Sequence, residues 1–272
     1  MIWHCLRGVQ TGATFSYNLG ISTSLSWIHY PKGTSPPVLG FPNQYRASGN
    51  SKLELLSADN SPEDKSILQL YGSKTDQIHG VHQLNIKRPR DGEEVDDLRR
   101  NMAPALELAM SLATTHGVLP LAISFIQSTT ANQHQLNGKD ADEALADDAA
   151  WLSNFFQRSE NIPLALSITT QLESTAINGR PERYEALVRN FCFDRAFVTS
   201  SQGRMGIAPS NTQVGDTILI IPGGGVPYIA RPLGQYWSFV GESYIDGLMG
   251  GQALQTYNGP PMQKQLFSFM QQ

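Results

Sequence analysis

Apolar and polar positions in the last third of the chain follow the period of two expected of half-buried strands. Thr217 to Ile221 is a β-branched run, Gly223, Gly224 and Gly225 supply positive φ for a reversal, and Val226 to Leu233 runs back. Gly234 and Gln235 make the next turn. Tyr236 to Ile245 then alternates, with Trp237, Phe239, Gly241, Ser243 and Ile245 on one face and Ser238, Val240, Glu242 and Tyr244 on the other. Short strands with turns this regular predict an antiparallel sheet or a small partial β-barrel.

Upstream the period lengthens to that of a helix. Asp140, with Glu143 three residues on, makes a capping box, and Ala141, Leu145, Ala149, Leu152 and Phe156 form a core-facing stripe that leaves Asp142, Asp147 and Asp148 mostly in water. Pro181 suits the first position of another helix, which turns Tyr184, Leu187, Val188 and Phe191 inward. Ala105 to Thr115 reads as a third, ended by Gly117 and Pro120. The apolar run Leu121 to Ser128 fits a strand or a helix equally well. The fold class is therefore α+β, a helical middle packed on the C-terminal sheet. The expected organisation is one compact unit over residues 1–272: strands and loops in 1–90, helices in 91–190, hairpins in 191–257 and a tail in 258–272. Asn190 runs straight into FCFDRAF without a linker.

Composition narrows the function classes. With 40% hydrophobic and 16% charged residues in 272, the chain can bury a substantial core. A net charge of −4 argues against a nucleic-acid face. The one dense basic cluster, Lys87, Arg88 and Arg90, is broken by Pro89 and followed by Asp91, Glu93 and Glu94, so it reads as a solvated loop. Two cysteines, Cys5 and Cys192, lack disulfide-scaffold or zinc-ligand spacing, and no signal-peptide pattern or membrane-length apolar run occurs, so a cytoplasmic setting is expected.

Motifs for cofactor or metal chemistry are weak. The Gly223–Gly225 run follows a strand but opens another strand, without the Gly-Lys-Ser/Thr of a phosphate loop. His79 and His82 sit near a strand end where they diverge, and the acidic helix lacks the central Gly and alternating oxygens of a calcium loop. Cys5 beside His4 has no third partner, and no Gly-x-Ser-x-Gly elbow exists. No cofactor and no metal are expected.

The run of special residues from Arg195 to Leu254 carries a further signal. In order come the strand Phe197 to Thr199, a turn with Gly203, Gly206 and Pro209, Gly215 with Asp216, Val226 with Pro227, Arg231 with Pro232, Val240 to Glu242, and Gly247, Met249 and Gly251. Leu68, Leu70, Gly72, Asp76 and Ile78 continue the pattern upstream. The chain closely resembles the C-terminal half of fungal heterokaryon-incompatibility (HET) proteins over about residues 45–257. Gln252 departs from it, standing where the family often has Glu. The resemblance implies an N-terminal HET domain with death-triggering activity, for which the roughly forty residues before the match are too few. The expectation is a fragment, or a C-terminal half kept as an independent protein.

Within the resembling sheet, Arg231 and Glu242 lie in strand-core sequence, where an ion must be paired, hydrogen-bonded or turned toward a cavity. A structural Arg231–Glu242 pair is one expectation. The other is a pocket with Glu242, Arg231 and Tyr244 as catalytic groups and Trp237, Tyr236 and Phe239 as substrate-binding walls. Asp216 reads as a turn residue. Two functions follow. One is a cofactor-independent enzyme of fungal specialised metabolism that folds an apolar small-molecule substrate for cyclisation or isomerisation, including pericyclic Diels-Alder chemistry. The alternative is a non-enzymatic recognition or regulatory module derived from an incompatibility protein. Neither reading calls for nucleic acid or a membrane span.

Overall fold

The computed structural model describes residues 45–52, 67–86, 98–114, 118–133, 141–157, 166–254 and 264–270. The Asp140 side of the capping box, the Lys87–Glu94 cluster and Cys5 with His4 lie outside them. Among the described residues, five α-helices occupy the middle: α1 (Leu98–Met110), α2 (Val118–Thr129), α3 (Ala141–Gln157), α4 (Leu166–Thr175) and α5 (Pro181–Phe191). Eight strands flank them in sequence: β1 (Ile67–Gln83), β2 (Arg195–Ser200), β3 (Met205–Pro209), β4 (Thr217–Ile220), β5 (Tyr228–Leu233), β6 (Tyr236–Glu242), β7 (Tyr244–Ile245) and β8 (Gln265–Met270). The fold class is α+β, and strand orientation is mixed because β6 and β8 run parallel. The ambiguous run Leu121 to Ser128 is helical, inside α2. Strand β8 falls within the stretch read as a tail.

The chain divides into two compact units, one of Met1–His79, Ser200–Arg204 and Asn211–Gln272, the other of Gly80–Thr199 and Met205–Ser210. In the first, five strands close a ring of hydrogen-bonded neighbours, β4-β5-β6-β8-β1 and back to β4. The hairpins β4–β5 and β5–β6 are antiparallel and turn where the glycines predict, Gly223 at φ 79° and Gly234 at φ 61°. Gly72 in β1 is closely approached, since a Cβ there would come within 3.2 Å of the Phe267 ring and 3.3 Å of the Ile220 carbonyl oxygen.

The second unit holds the helices and the β2–β3 hairpin, paired from Arg195↔Pro209 to Thr199↔Met205. Helix α2 packs on this hairpin with Phe125 and Phe197 rings 5.3 Å apart. Tyr184, Val188 and Phe191 of α5 are buried as the periodicity predicts. The stripe of α3 is rotated from the expected one. Leu145 is 51% exposed, while Asp147 and Asp148 are buried beside Ala144, Trp151, Leu152 and Phe155. The reason is tertiary: Asp147 Oδ1 accepts the Arg180 N–H at 2.7 Å, at the start of α5, and its Oδ2 accepts from Arg183 at 3.3 Å. A carboxylate at a helix N-terminus satisfies an otherwise unbonded donor and meets the favourable end of the dipole. Arg180 supplies no side-chain cap of its own.

Candidate functional site

The five-stranded ring carries the sequence-predicted residues other than Tyr244, and the β5–β6 register decides which way each faces. Pro232 pairs with Trp237, Arg231 with Ser238 and Ala230 with Phe239, but Ile229 pairs with Gly241 and Tyr228 with Glu242. Val240 is the extra residue of a bulge, and one extra residue reverses the faces beyond it. Glu242 therefore shares a face with Trp237 and Phe239, where unbroken alternation would set it opposite them. Arg231 and Tyr236 take the other face.

The shared face points into the ring. Phe239 lies 5.6 Å from Tyr228 and 6.0 Å from Phe269, and Trp237 lies 5.2 Å from Phe267, centroid to centroid. Lys74 of β1, which is not a ring neighbour of β6, places its Nζ 4.7 Å from the Trp237 centroid. Tyr228, Phe267, Phe269 and Glu242 are buried, Trp237 and Phe239 are half-buried, and Lys74 is exposed. The inside of the ring is thus lined by an aromatic cluster, with Glu242 further along the same face and the exposed Lys74 over Trp237 at its edge. Aromatic edge contacts and a cation over a ring face each stabilise such a cluster by about 1 kcal/mol.

Arg231 does not pair with Glu242; its partner is Asp216. Nε donates to Asp216 Oδ1 at 2.8 Å, and Nη2 donates to Oδ2 at 2.9 Å and to the Asn211 carbonyl at 2.7 Å. Asp216 also accepts the Gln213 N–H at 2.8 Å. This two-pronged pair holds the 211–216 loop against β5, and the hydrogen bonds to Asp216 raise the guanidinium pKa further. Asp216 is more than a turn residue. Tyr244 lies in β7, its ring edge-on to Tyr45 at 5.8 Å; burial, then Asp246 and Tyr45, push its phenol pKa well above the ordinary value. A phenol so held stays protonated at any physiological pH.

The register thus sets Trp237, Phe239 and Glu242 on one face, Glu242 two rungs from Phe239 and four from Trp237, with Arg231 and Tyr236 on the other, while Tyr244 packs against Tyr45 from β7. Sequence reasoning missed Lys74, Phe267 and Phe269; the alternation of LFSFM in β8 was the available signal for the two phenylalanines. In the helical unit a second polar group is buried. Tyr184 and Thr129 hydroxyls are 2.8 Å apart, and the Cys192 thiol donates to the Thr129 carbonyl at 3.1 Å. Burial raises the Cys192 pKa, so the thiol is unreactive, and burial with the neighbouring Asp147 raises the Asp148 pKa to about 8.

Comparison with known proteins places this sheet. Residues 165–259 match the family model described as the Het-6 beta-barrel domain. Over 79 residues, 28% of this chain, the sequence is 30% identical to heterokaryon incompatibility protein 6, OR allele, of Neurospora crassa. That alignment spans only 12% of the Neurospora protein's length. No solved structure matches the chain. The resemblance to the C-terminal region of HET proteins therefore holds. Among the described residues, no helix is long and apolar enough to cross a membrane.

Proposed function

We propose that this chain is a non-enzymatic recognition or regulatory module of the kind carried in the C-terminal part of heterokaryon-incompatibility proteins, acting by binding other proteins in the cytoplasm. The reading rests on how the ring is filled. Tyr228, Phe267 and Phe269 occupy its inside with the chain's own rings, and the polar candidates divide between two faces. Apolar side chains are instead presented outward on the same unit, with Leu233 44% and Leu266 43% exposed. The match to the Het-6 domain supports the same reading. Cross-linking in fungal cells followed by mass spectrometry tests it. Leu233→Asp should remove specific partners while leaving the melting temperature unchanged, and Glu242→Gln should retain them. Partners that disappear with Glu242→Gln but persist with Leu233→Asp would overturn it.

One observation favours the enzyme as a second reading. The bulge sets the Glu242 carboxyl on the same face as Phe239 and, further along, Trp237. On that reading Glu242 is the acting group and Phe239 and Trp237 are the walls for an apolar substrate undergoing cyclisation, while Arg231, Tyr236 and Tyr244, turned elsewhere, take no part. Purified protein incubated with extract of a fungus lacking its gene would then transform a metabolite without added cofactor, and Glu242→Gln would abolish the change.

A further inference from the structure

Among the described residues, the large aliphatic side chains left exposed on strands are Leu233 and Leu266, and both lie on the outer face of the ring. Each sits across from a half-buried tyrosine, Leu233↔Tyr236 on β5 and β6 and Tyr71↔Leu266 on β1 and β8. The parallel register Trp237↔Phe269 puts Tyr236 beside Ser268, one residue back along both strands, and Ser268 pairs with Gln69. Leu233, Tyr236, Ser268 and Gln69 thus form one row across β5, β6, β8 and β1, with the Leu266–Tyr71 pair in the next row on the same face. Gln69 Nε2 donates to Ser268 Oγ at 3.0 Å, so the polar groups between the two Leu–Tyr pairs serve each other.

This face carries one charge. Arg231 stands two residues before Leu233 and shares its side of β5, while Ile67 to Tyr71, Tyr236 to Ser238 and Gln265 to Met270 contain no charged residue. The bonds of Arg231 to Asp216 and Asn211 use Nε and Nη2; Nη1 takes part in none of them, and the residue is half-buried. The Asp216 pair therefore fixes a guanidinium whose Nη1 N–H donors remain to be used.

We propose that the outer face of β5-β6-β8-β1 docks an amphipathic helix of another protein, its apolar stripe lying on the two Leu–Tyr pairs and a flanking Asp or Glu accepting from Arg231 Nη1. The inference rests on the recognition reading and names the kind of partner. Each of these four strands has a hydrogen-bonded neighbour on both sides, so a partner lies over the face and does not add a strand to its edge. Apolar sheet faces are covered by helices or by second sheets. Four strands about 4.8 Å apart make a face roughly 14 Å across, which a helix crosses in about ten residues, with apolar positions at i, i+4 and i+7. Tyrosine and arginine are the residue types that carry binding energy at such contacts. A second copy of this chain would present the same face, which has no carboxylate to offer Arg231.

A phage-displayed library of randomised helical peptides, selected on the immobilised full chain, supplies the probes; selected peptides are labelled and titrated by fluorescence anisotropy. They should carry apolar residues at helical spacing with Asp or Glu beside the stripe. Leu266→Asp and Tyr71→Ser should each raise Kd about tenfold or more at an unchanged circular dichroism spectrum, and Tyr71→Ser alone decides the matter where Leu266→Asp loses its fold. Exchanging the peptide acid for its amide should weaken binding roughly two- to fivefold, a difference that high salt removes. Leu145→Asp, at the exposed leucine of the helical unit, should bind as the parent does. No selected peptide, peptides with Lys or Arg beside the stripe, or undiminished binding to folded Leu266→Asp or Tyr71→Ser overturns the proposal. Partners cross-linked in fungal cells that are lost with Leu233→Asp but kept with Leu266→Asp would overturn it and leave the recognition reading standing, and partners indifferent to both substitutions would overturn both.

Discussion

Arg231→Met strands a buried carboxylate, and its cost can be worked from the geometry. Asp216 is 2% exposed and accepts three hydrogen bonds, two of them from Arg231. Removing the guanidinium leaves the charge with the Gln213 N–H and leaves the Asn211 carbonyl without its charged donor. Breaking a buried ion pair from one side costs about 3–5 kcal/mol. Arg231 is itself 30% exposed, so part of that attraction is already screened, and about 2–3 kcal/mol is the fitting expectation. For a chain of this length that is a fall in melting temperature of roughly 4–12 °C. Asp216→Asn should cost less, because a neutral amide left by Arg231 is cheaper to bury than a lone carboxylate. The double variant should fall short of the summed losses by about 1–2 kcal/mol, as coupled neighbours do. Urea denaturation of the four proteins measures this cycle. A single Arg231→Met protein within about 0.5 kcal/mol of the parent, the range of an ordinary surface substitution, would refute the lock and return Arg231 to the candidates for a ligand-facing role.

Burial holds Asp148 protonated up to a pKa of about 8, so the folded state binds a proton that the unfolded carboxyl releases above its ordinary pKa near 4. The contribution is fully present below pH 4 and lost as pH rises to 8, at a slope on the order of 1 kcal/mol per pH unit; Asp148→Asn should flatten the stability profile between pH 5 and 8, and parallel profiles would refute the assignment. Gly72→Ala should lower stability by about 1–3 kcal/mol through overpacking against Phe267 and the Ile220 carbonyl, and an unchanged urea midpoint would contradict the close approach. The whole chain should unfold in one transition, because it passes between its two compact units at 79/80, 199/200, 204/205 and 210/211; a protease cut near residue 190 that leaves two stably folded pieces would count against this.

The hairpins and two of the helices are legible in the sequence because their signals are local. Gly223 and Gly234 mark reversals that only the chain's own neighbourhood decides, and Pro181 opens α5 where its missing N–H costs nothing. The partner of Arg231 is within reach of the same logic: Thr217 pairs with Ala230, so Asp216 and Arg231 occupy the next rung of the same hairpin. The bulge at Val240 leaves a faint trace, the adjacent apolar residues Phe239 and Val240, but a period-of-two reading of Tyr236 to Ile245 runs straight through it, and the ladder is what reveals the extra residue. Leu145 and the Asp147–Asp148 pair exchange places for a reason no helical period contains, the start of α5 some thirty residues on needing a carboxylate. Strand β8 is six residues long and finds β1 almost two hundred residues away, so nothing near it in sequence announces a partner.

That distance bears on what the family-matched stretch can do alone. Residues 165–259 contain β2 to β7, but the ring is closed by β1 and β8, both outside the match. Without them Trp237 and Phe239 lose Phe267, Phe269 and Lys74, and the inward face that holds Glu242 lies open on a three-stranded sheet, β4-β5-β6. An aromatic face of that size in water invites association. The ring built here is therefore a property of a longer stretch than the matched one. Trp237 and Phe239 owe their partners Phe267 and Phe269 to a strand that the match does not include, so the packing of that face depends on whether β8 is seated.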